Sequence, residues 1–268
     1  TLYYAFDYPE NGTRFATGTL SSSPSSFNAN IPISNLTNGE HILYIWAVDQ
    51  TGAISDKVER KIRIDKTAPT LTCSQSPTGW TNQNVTISAR GSDSGLAGFD
   101  YIETPNNSQV KSTTANYTVS TNGSYTFYAY DKAGNRTSAT YQVTNIDKTA
   151  PSVSFSTNGN NSYARSHSTK VTVSDDQSGV KSREYVWSSS QNQPTSGWKS
   201  FSNGATLTTP SGTGTRYLWI KATDQVGNTK YVRSNGFRID NTKPTGSISA
   251  TPTDWTRDEV VIQLSGLN

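Results

Sequence analysis

Sulfur is almost absent: the 268 residues include one cysteine, Cys73, and no methionine. A single thiol excludes an intrachain disulfide framework, and its place in a short apolar run points to a structural thiol. Hydrophobic residues make up 32% and charged residues 16% of the chain, both low for a globular protein. Ser, Thr, Asn and Gly fill the gap. Such a composition cannot build one large core, but it suits several small β domains whose short strands each bury one face. No apolar run reaches the roughly 18 residues of a membrane-spanning helix, so no membrane insertion is expected of this segment. No signal peptide is expected in this segment, and with no methionine it is expected to come from the interior of a longer chain. The net charge is +3 and the basic residues are scattered, which excludes a nucleic-acid patch or a polybasic anchor. Histidine is scarce too. His41 and His167 lie in no motif, and no GxSxG, HExxH, phosphate loop or Cys/His constellation is present. No catalytic residue and no enzyme activity are expected, and His41, beside the turn at Asn38–Gly39, is expected to be exposed.

What the chain does have is an internal repeat. LYIWAVDQTGAISDKVERKIRIDKTAP at Leu43–Pro69 returns as YTFYAYDKAGNRTSATYQVTNIDKTAP at Tyr125–Pro151 and as LWIKATDQVGNTKYVRSNGFRIDNTKP at Leu218–Pro244. In each copy a turn Asp precedes a linker Asp by the same sixteen positions: Asp49 and Asp65, Asp131 and Asp147, Asp224 and Asp240. Before the turn, apolar residues recur at every second place: Leu43, Ile45 and Ala47; Tyr125, Phe127 and Ala129; Leu218, Ile220 and Ala222. This period marks a strand with one buried face. The turns DQTG, DKAG and DQVG supply glycine for positive φ and an Asp able to bond the backbone beyond it. A second strand follows, with weaker alternation at Ala139, Tyr141 and Val143. The linkers DKTAP and DNTKP end each copy, because proline cannot extend a ladder and biases its predecessor towards extended backbone.

A second pattern comes after each linker. TGWTNQNVTI at Thr78–Ile87 matches TDWTRDEVVI at Thr253–Ile262, and NSYARSHSTKVTV at Asn161–Val173 is a looser copy. Loops SDSG at Ser92–Gly95 and DDQSG at Asp175–Gly179 follow. The expected organisation is therefore a partial domain at 1–66 carrying the later strands, complete domains at 67–148 and 149–241, and a partial domain at 242–268 carrying the first two strands.

The aromatic strand, the D-x-x-G-N turn (Asp131–Asn135, Asp224–Asn228) and the I-D-x-T-x-P linker (Ile64–Pro69, Ile146–Pro151, Ile239–Pro244) together resemble the bacterial immunoglobulin-like, Big-type, tandem repeats of extracellular surface proteins and adhesins. The resemblance implies an all-β fold of tandem immunoglobulin-like β-sandwich domains joined by short proline-containing linkers. It also implies a non-catalytic stalk at a bacterial cell surface, holding a functional head away from that surface. Neighbouring repeats of the same chain would be its first partners. The first copy departs from the pattern at Ala53, where the others have Asn.

In such a sandwich the loops after the second strand and between the last two strands share a pole with the N-terminus. Asp65, Asp93 and Asp131 are then expected to meet at one junction, and Asp147, Asp175 or Asp176, and Asp224 at the next. Three carboxylates call for neutralisation, and hard oxygen ligands favour Ca²⁺. The resemblance implies the same use, since related adhesin repeats bind calcium through interdomain Asp residues. Asp in D-x-x-G also stabilises its own turn without any ion, and Lys66, Lys132 and Lys148 stand close enough in sequence to supply countercharge.

Opposite the buried stripe lie Tyr44 and Trp46, Tyr128 and Tyr130, Tyr217 and Trp219. They could stack on sugar rings, making a glycan- or protein-binding module, or pack under long side chains of their own sheet. A filament subunit, in which the first strands at one end complete the remnant at the other, is also compatible with the sequence.

Overall fold

The structure, a computed structural model, describes residues 1–10, 12–17, 28–251 and 253–266, so small parts of the 1–66 and 242–268 segments lie outside the described residues. Every regular element among the described residues is a β-strand, and no helix there is long and apolar enough to cross a membrane. The chain divides into two compact units, Thr1–Thr78 with Asn84–Thr144, and Gly79–Gln83 with Asn145–Asn268.

In the first unit β1 (Leu2–Phe6), β2 (Thr13–Ala16), β3 (Gly39–Ala47) and β4 (Val58–Ile64) form an antiparallel sheet in the order β2-β1-β3-β4. Next come β5 (Thr70–Ser76), β6 (Val85–Ser92), β7 (Phe99–Glu103), β8 (Gln109–Val110), β9 (Thr114–Val119), β10 (Gly123–Asp131) and β11 (Arg136–Val143). They make two sheets, β5-β6-β9 and β11-β10-β7-β8. Val85, Ile87 and Ala89 of the three-stranded sheet and Ile102, Phe127, Ala129 and Val143 of the four-stranded one are wholly buried. The Tyr117 ring meets Phe127 edge-on at 6.3 Å. Alternation along each strand places these residues in a shared interior.

The second unit contains β12 (Ser152–Phe155), β13 (Asn160–Ala164), β14 (Ser168–Ser174), β15 (Val180–Ser188), β16 (Lys199–Ser200), β17 (Thr206–Thr208), β18 (Gly214–Asp224), β19 (Thr229–Arg233) and β20 (Phe237–Ile239). Sheet β12-β14-β17 covers β13-β20-β18-β15-β16, with β19 also on β18. Val171, Val173, Leu207, Leu218, Ile220 and Ala222 form the core between them. β13 runs parallel to β20, and a parallel bridge likewise joins Thr81 to Ile146. A final hairpin of β21 (Ser247–Thr251) and β22 (Val261–Ser265) is exposed along its length. Two facing sheets, linked by strands that cross between them and closed by a parallel final strand, define the all-β, immunoglobulin-like sandwich, here in tandem.

The stripe before the turn is fully buried only where a second sheet covers it. Phe127 and Ala129, and Leu218, Ile220 and Ala222, have no exposed surface. Leu43, Ile45 and Ala47 are only half-buried, while Trp46, on the opposite face of β3, is 8% exposed. The sheet holding β3 has no second sheet over it among the described residues, so identical periodicity leads to different burial.

His41 corrects the expectation of an exposed histidine. It lies on β3, is buried, and bonds Asp7 Oδ2 through Nδ1 at 2.7 Å and the Thr37 carbonyl through Nε2 at 2.9 Å. The Asp7 hydrogen bond, followed by the Thr37 carbonyl, raises the His41 pKa above the ordinary 6.5. The His41 bond, followed by the Ile42 N–H, lowers the Asp7 pKa below 3.8. The His41 contribution to stability is complete below pH 6.5 and is lost as pH rises through the raised value; that of Asp7 is present above 3.8 and lost as pH falls through the lowered one. Stability of the β1–β4 sheet is therefore expected to fall as pH rises above 6.5. Hydrogen exchange of the β3 amides from pH 6 to 8 checks this: His41→Gln should remove the pH dependence beyond the intrinsic exchange rate, and an unchanged profile would refute it.

Candidate functional site

Each site begins with a turn. In Asp131-Lys132-Ala133-Gly134-Asn135 the Asp131 N–H donates to the Asn135 carbonyl at 3.1 Å and Gly134 N–H to the Asp131 carbonyl at 3.2 Å. The Asn135 N–H returns to Asp131 Oδ1 at 2.8 Å. Gly52, Gly134 and Gly227 hold φ of +92°, +90° and +97° in the three turns, a region that glycine enters freely. Ala53 leaves this geometry intact: its N–H still donates to Asp49 Oδ1 at 2.9 Å. The sequence departure changes a side chain and spares the turn.

That side chain is what sequence reasoning missed. Asn135 Nδ2 donates to Asp131 Oδ2 at 2.7 Å and also to the Asp65 carbonyl, in the preceding linker, at 2.9 Å. Asn228 does the same with Asp224 Oδ2 at 2.6 Å and the Asp147 carbonyl at 3.0 Å. One amide therefore ties the turn to the linker. The signal was the Asn of D-x-x-G-N set against Ala53.

The linker carboxylates are held by the loop after the second strand. Asp65 accepts the Thr67 N–H at 3.0 Å and the Ala97 N–H at 2.7 Å. Asp93, at the start of that loop, accepts the Gly95 N–H at 2.9 Å through Oδ1. Oxygen atoms of Asp65, Asp93 and Asp131 lie within 4.8 Å of one another, and so do those of Asp147, Asp175 and Asp224. Asp176 is exposed and stands outside the second group. Asp131 is 2% exposed, Asp147 and Asp224 not at all. Unit charges at this separation repel by about 1–4 kcal/mol per pair, depending on how much water reaches them.

Two carboxylates respond clearly to their donors. The Ala97 and then the Thr67 N–H hold the Asp65 pKa below its ordinary value. Burial works to raise that of Asp147, but bonds from the Ser178 hydroxyl and the Thr149 and Ser178 N–H groups outweigh it, and the net shift is downward.

Lys66 does not supply countercharge to the first cluster. Its Nζ donates to the carbonyls of Ile33, Ser34 and Leu36 at 3.0, 2.8 and 2.6 Å, while its N–H bonds Asn38 Oδ1 at 2.9 Å and Asn38 Nδ2 reaches Thr67 Oγ1 at 2.7 Å. The linker is thus gripped from both sides. Lys132 lines a cleft of about 590 Å³ beside Asp65, together with Glu40, Arg63 and Leu96. Asp93 Oδ2 is out of solvent with no hydrogen-bond partner.

The aromatics of the turn strands are covered. Lys57 Nζ sits 5.1 Å over Trp46, Arg136 4.7 Å over Tyr128, and Arg233 5.3 Å over Tyr217 and 6.0 Å over Trp219. Tyr130 stacks on Tyr101 at 4.6 Å. With Trp46 and Trp219 at 8% and 9% exposure, these rings are packed within their sheets, under cations from neighbouring strands. Cys73 is half-buried on β5, and burial pushes its thiol pKa up, away from the reactive thiolate.

No protein-family model matches the chain, and no curated protein matches it. Solved structures do match. The fibronectin(III)-like modules of Clostridium thermocellum CbhA are 13% identical, covering 63% of this chain and 93% of that one with a TM-score of 0.27. A tetra-tandem repeat in the extending region of a large adhesion protein is 18% identical, covering 89% and 73% with a TM-score of 0.31. Extracellular cadherin domains 3–6 of protocadherin gamma B2 are 12% identical, covering 97% and 75% with a TM-score of 0.38. The class assigned above, tandem immunoglobulin-like sandwiches, rests on the strand order of the chain itself.

Proposed function

We propose that this chain is a non-catalytic spacer in a longer bacterial cell-surface or secreted protein, where it holds a functional head away from the surface. The segments 1–66, 67–148, 149–241 and 242–268 are then successive repeats, and each repeat's partner is its neighbour. One observation carries this reading: the same hydrogen-bonded clasp, Asn to linker carbonyl and loop N–H to linker carboxylate, occurs at Asp65 and again at Asp147. A clasp on a proline-ended linker limits bending where a Gly/Ser tether would permit it. Repeats that contact only their neighbours gain stability from such junctions. The packed state of Trp46, Tyr128, Tyr130 and Trp219 favours the spacer over a glycan-binding face on those strands.

A second reading concerns the Asp65 joint, which takes Ca²⁺ through Asp65, Asp93 and Asp131. Asp93 Oδ2, buried without a partner beside two further carboxylates, favours it. Hard oxygen donors suit this ion, which accepts six to eight of them in flexible geometry.

Both readings are tested by spin labels at Lys61→Cys and Thr114→Cys, on either side of the joint, in a Cys73→Ser background. A narrow distance distribution is expected with Ca²⁺, broader in EDTA and broader again in Asn135→Ala. Breadth under every condition overturns the spacer. A narrow distribution indifferent to EDTA overturns calcium alone.

A further inference from the structure

The two carboxylate clusters share their backbone contacts to the linker Asp and the facing turn, while the loop that supplies them is one residue longer from Asp93 to Gly98 than from Asp175 to Gly179 and carries different side chains next to the linker. Ala97 and Ser178 occupy equivalent places, each giving its N–H to the linker carboxylate: to Asp65 Oδ2 at 2.7 Å and to Asp147 Oδ2 at 3.1 Å. The next residue in each loop accepts from the facing turn, Gly98 from Lys132 N–H at 3.0 Å and Gly179 from Gln225 N–H at 2.9 Å. The residue before is Leu96 in one loop and Gln177 in the other.

From that common frame the chemistry diverges. Ser178 adds its hydroxyl, which donates to Asp147 Oδ2 at 2.5 Å. Gln177, with its amide nitrogen turned towards the linker so that both groups are satisfied, donates to Asp147 Oδ1 at 3.0 Å and to the Ile146 carbonyl at 3.2 Å. Ala97 and Leu96 have no side-chain proton to give, and Leu96 stands 70% exposed; the side-chain donor at Asp65 is the Thr67 hydroxyl of its own linker, beside N–H groups of Ala97, Thr67 and Leu96. Among the described residues, Asp93 Oδ2 in the first cluster is the one buried carboxylate oxygen without a partner, and the second cluster has none. Hydrogen bonds to an ionised acceptor are roughly twice as strong as neutral ones, so two added side-chain donors are a large change for a fully buried carboxylate.

We infer that Ser178, assisted by Gln177, closes the Asp147 joint without a cation, its loop side-chain donors stabilising the Asp147 charge in the role that an ion takes at the Asp65 cluster. The contrast with Asp65 rests on the calcium reading above; the role of Ser178 does not. One repeat frame then yields two kinds of joint, an ion-dependent one and an ion-independent one, through the side chains that the loop sets beside the linker Asp.

Hydrogen exchange measured on the full chain, in EDTA and in CaCl₂, tests this. Peptides covering 147–149 and 175–179 should be equally protected in both media. The double variant Gln177→Leu, Ser178→Ala, which installs the two side chains of the first loop, removes two bonds to Asp147 and should lose at least about tenfold protection there in EDTA, the low end for even one lost bond to a charged group. Opening of the unaltered Asp147 joint in EDTA, or full protection of the variant in EDTA, overturns the inference. Amides of β14 and β18 report whether the variant still folds. If it does not, the reciprocal Leu96→Gln, Ala97→Ser decides: the Thr67 and Ala97 positions should gain about tenfold protection in EDTA, and no gain overturns the inference. The calcium reading is judged separately. Indifference of Thr67 and Ala97 to CaCl₂ in the unaltered chain removes that reading and leaves the Ser178 role to the EDTA arm.

Discussion

Phe127→Ala is expected to destabilise its sandwich by about 3–5 kcal/mol, the usual cost of emptying a ring-sized site in a packed core. Phe127 has no exposed surface, and Val85, Ile87 and Ala89 of the other sheet are equally closed to solvent. Neither β6 nor β10 can shift far to refill the space, because each is held by ladder bonds on both sides: β10 pairs with β7 and β11, and β6 with β5 and β9. Ile45 has the corresponding place on β3, yet it is only half-buried. Ile45→Ala should cost no more than about 1.5 kcal/mol, since less apolar area returns to water. Protection of the β6 and β10 amides against that of the β1 and β3 amides measures the pair. Equal costs would mean that the second sheet contributes nothing to the value of the stripe.

Asp224→Ala is expected to cost about 2–4 kcal/mol, the balance of two opposed effects. Removing the carboxylate leaves the Val226 N–H and the Asn228 N–H without an acceptor and takes from Asn228 Nδ2 one of its two, the Asp147 carbonyl remaining, in a place closed to water. Bonds to charged groups contribute about 1.5–3 kcal/mol each. Against this, repulsion from Asp147 and Asp175 is relieved, but Asp175 is reached by solvent, which keeps that gain near the low end of about 1–4 kcal/mol per pair. Lost hydrogen bonds win. Asp224→Asn keeps an oxygen facing the two backbone N–H groups while removing the charge, so it should cost clearly less than the alanine. Exchange of the β18 amides distinguishes them. A stabilised Asp224→Ala would show that repulsion dominates the cluster, and equal costs for Asn and Ala would show that the acceptor is irrelevant.

The same two sites show how far the sequence could be read. Strand β10, its turn and β11 follow from a local period of two, a glycine at positive φ and an Asp at the head of the turn. All are properties of a few neighbouring residues. That Asp224 and Asp240 serve different ends of one sandwich also follows from strand direction: Asp224 ends β18, while Asp240 follows Ile239, which pairs with Gly214 at its start. The direction in which Lys66 points was not legible. Its carbonyl partners lie some thirty residues earlier in the chain, and countercharge for the neighbouring aspartates was the equally natural guess. His41 was missed for the same reason, since Asp7 is 34 positions away and nothing in Asn38–His41 announces it. Asn135 was visible as part of a motif and mute as to role, because its second bond goes to a residue 70 positions earlier.

By itself, then, the sequence determined that this chain is all β, that its units repeat, that each is closed by a proline linker, and which aspartates head the turns. These features are written in short-range periodicity and backbone constraint, which every copy expresses alike. The tertiary structure decided what the copies do differently: Ile45 half-buried where Phe127 is sealed, Ala53 in a turn that keeps its shape without an Asn to reach the linker, and Ala97 and Ser178 facing equivalent carboxylates with and without a hydroxyl. Burial and hydrogen bonding depend on what stands across a gap, and a repeat cannot specify its neighbour from within its own sequence.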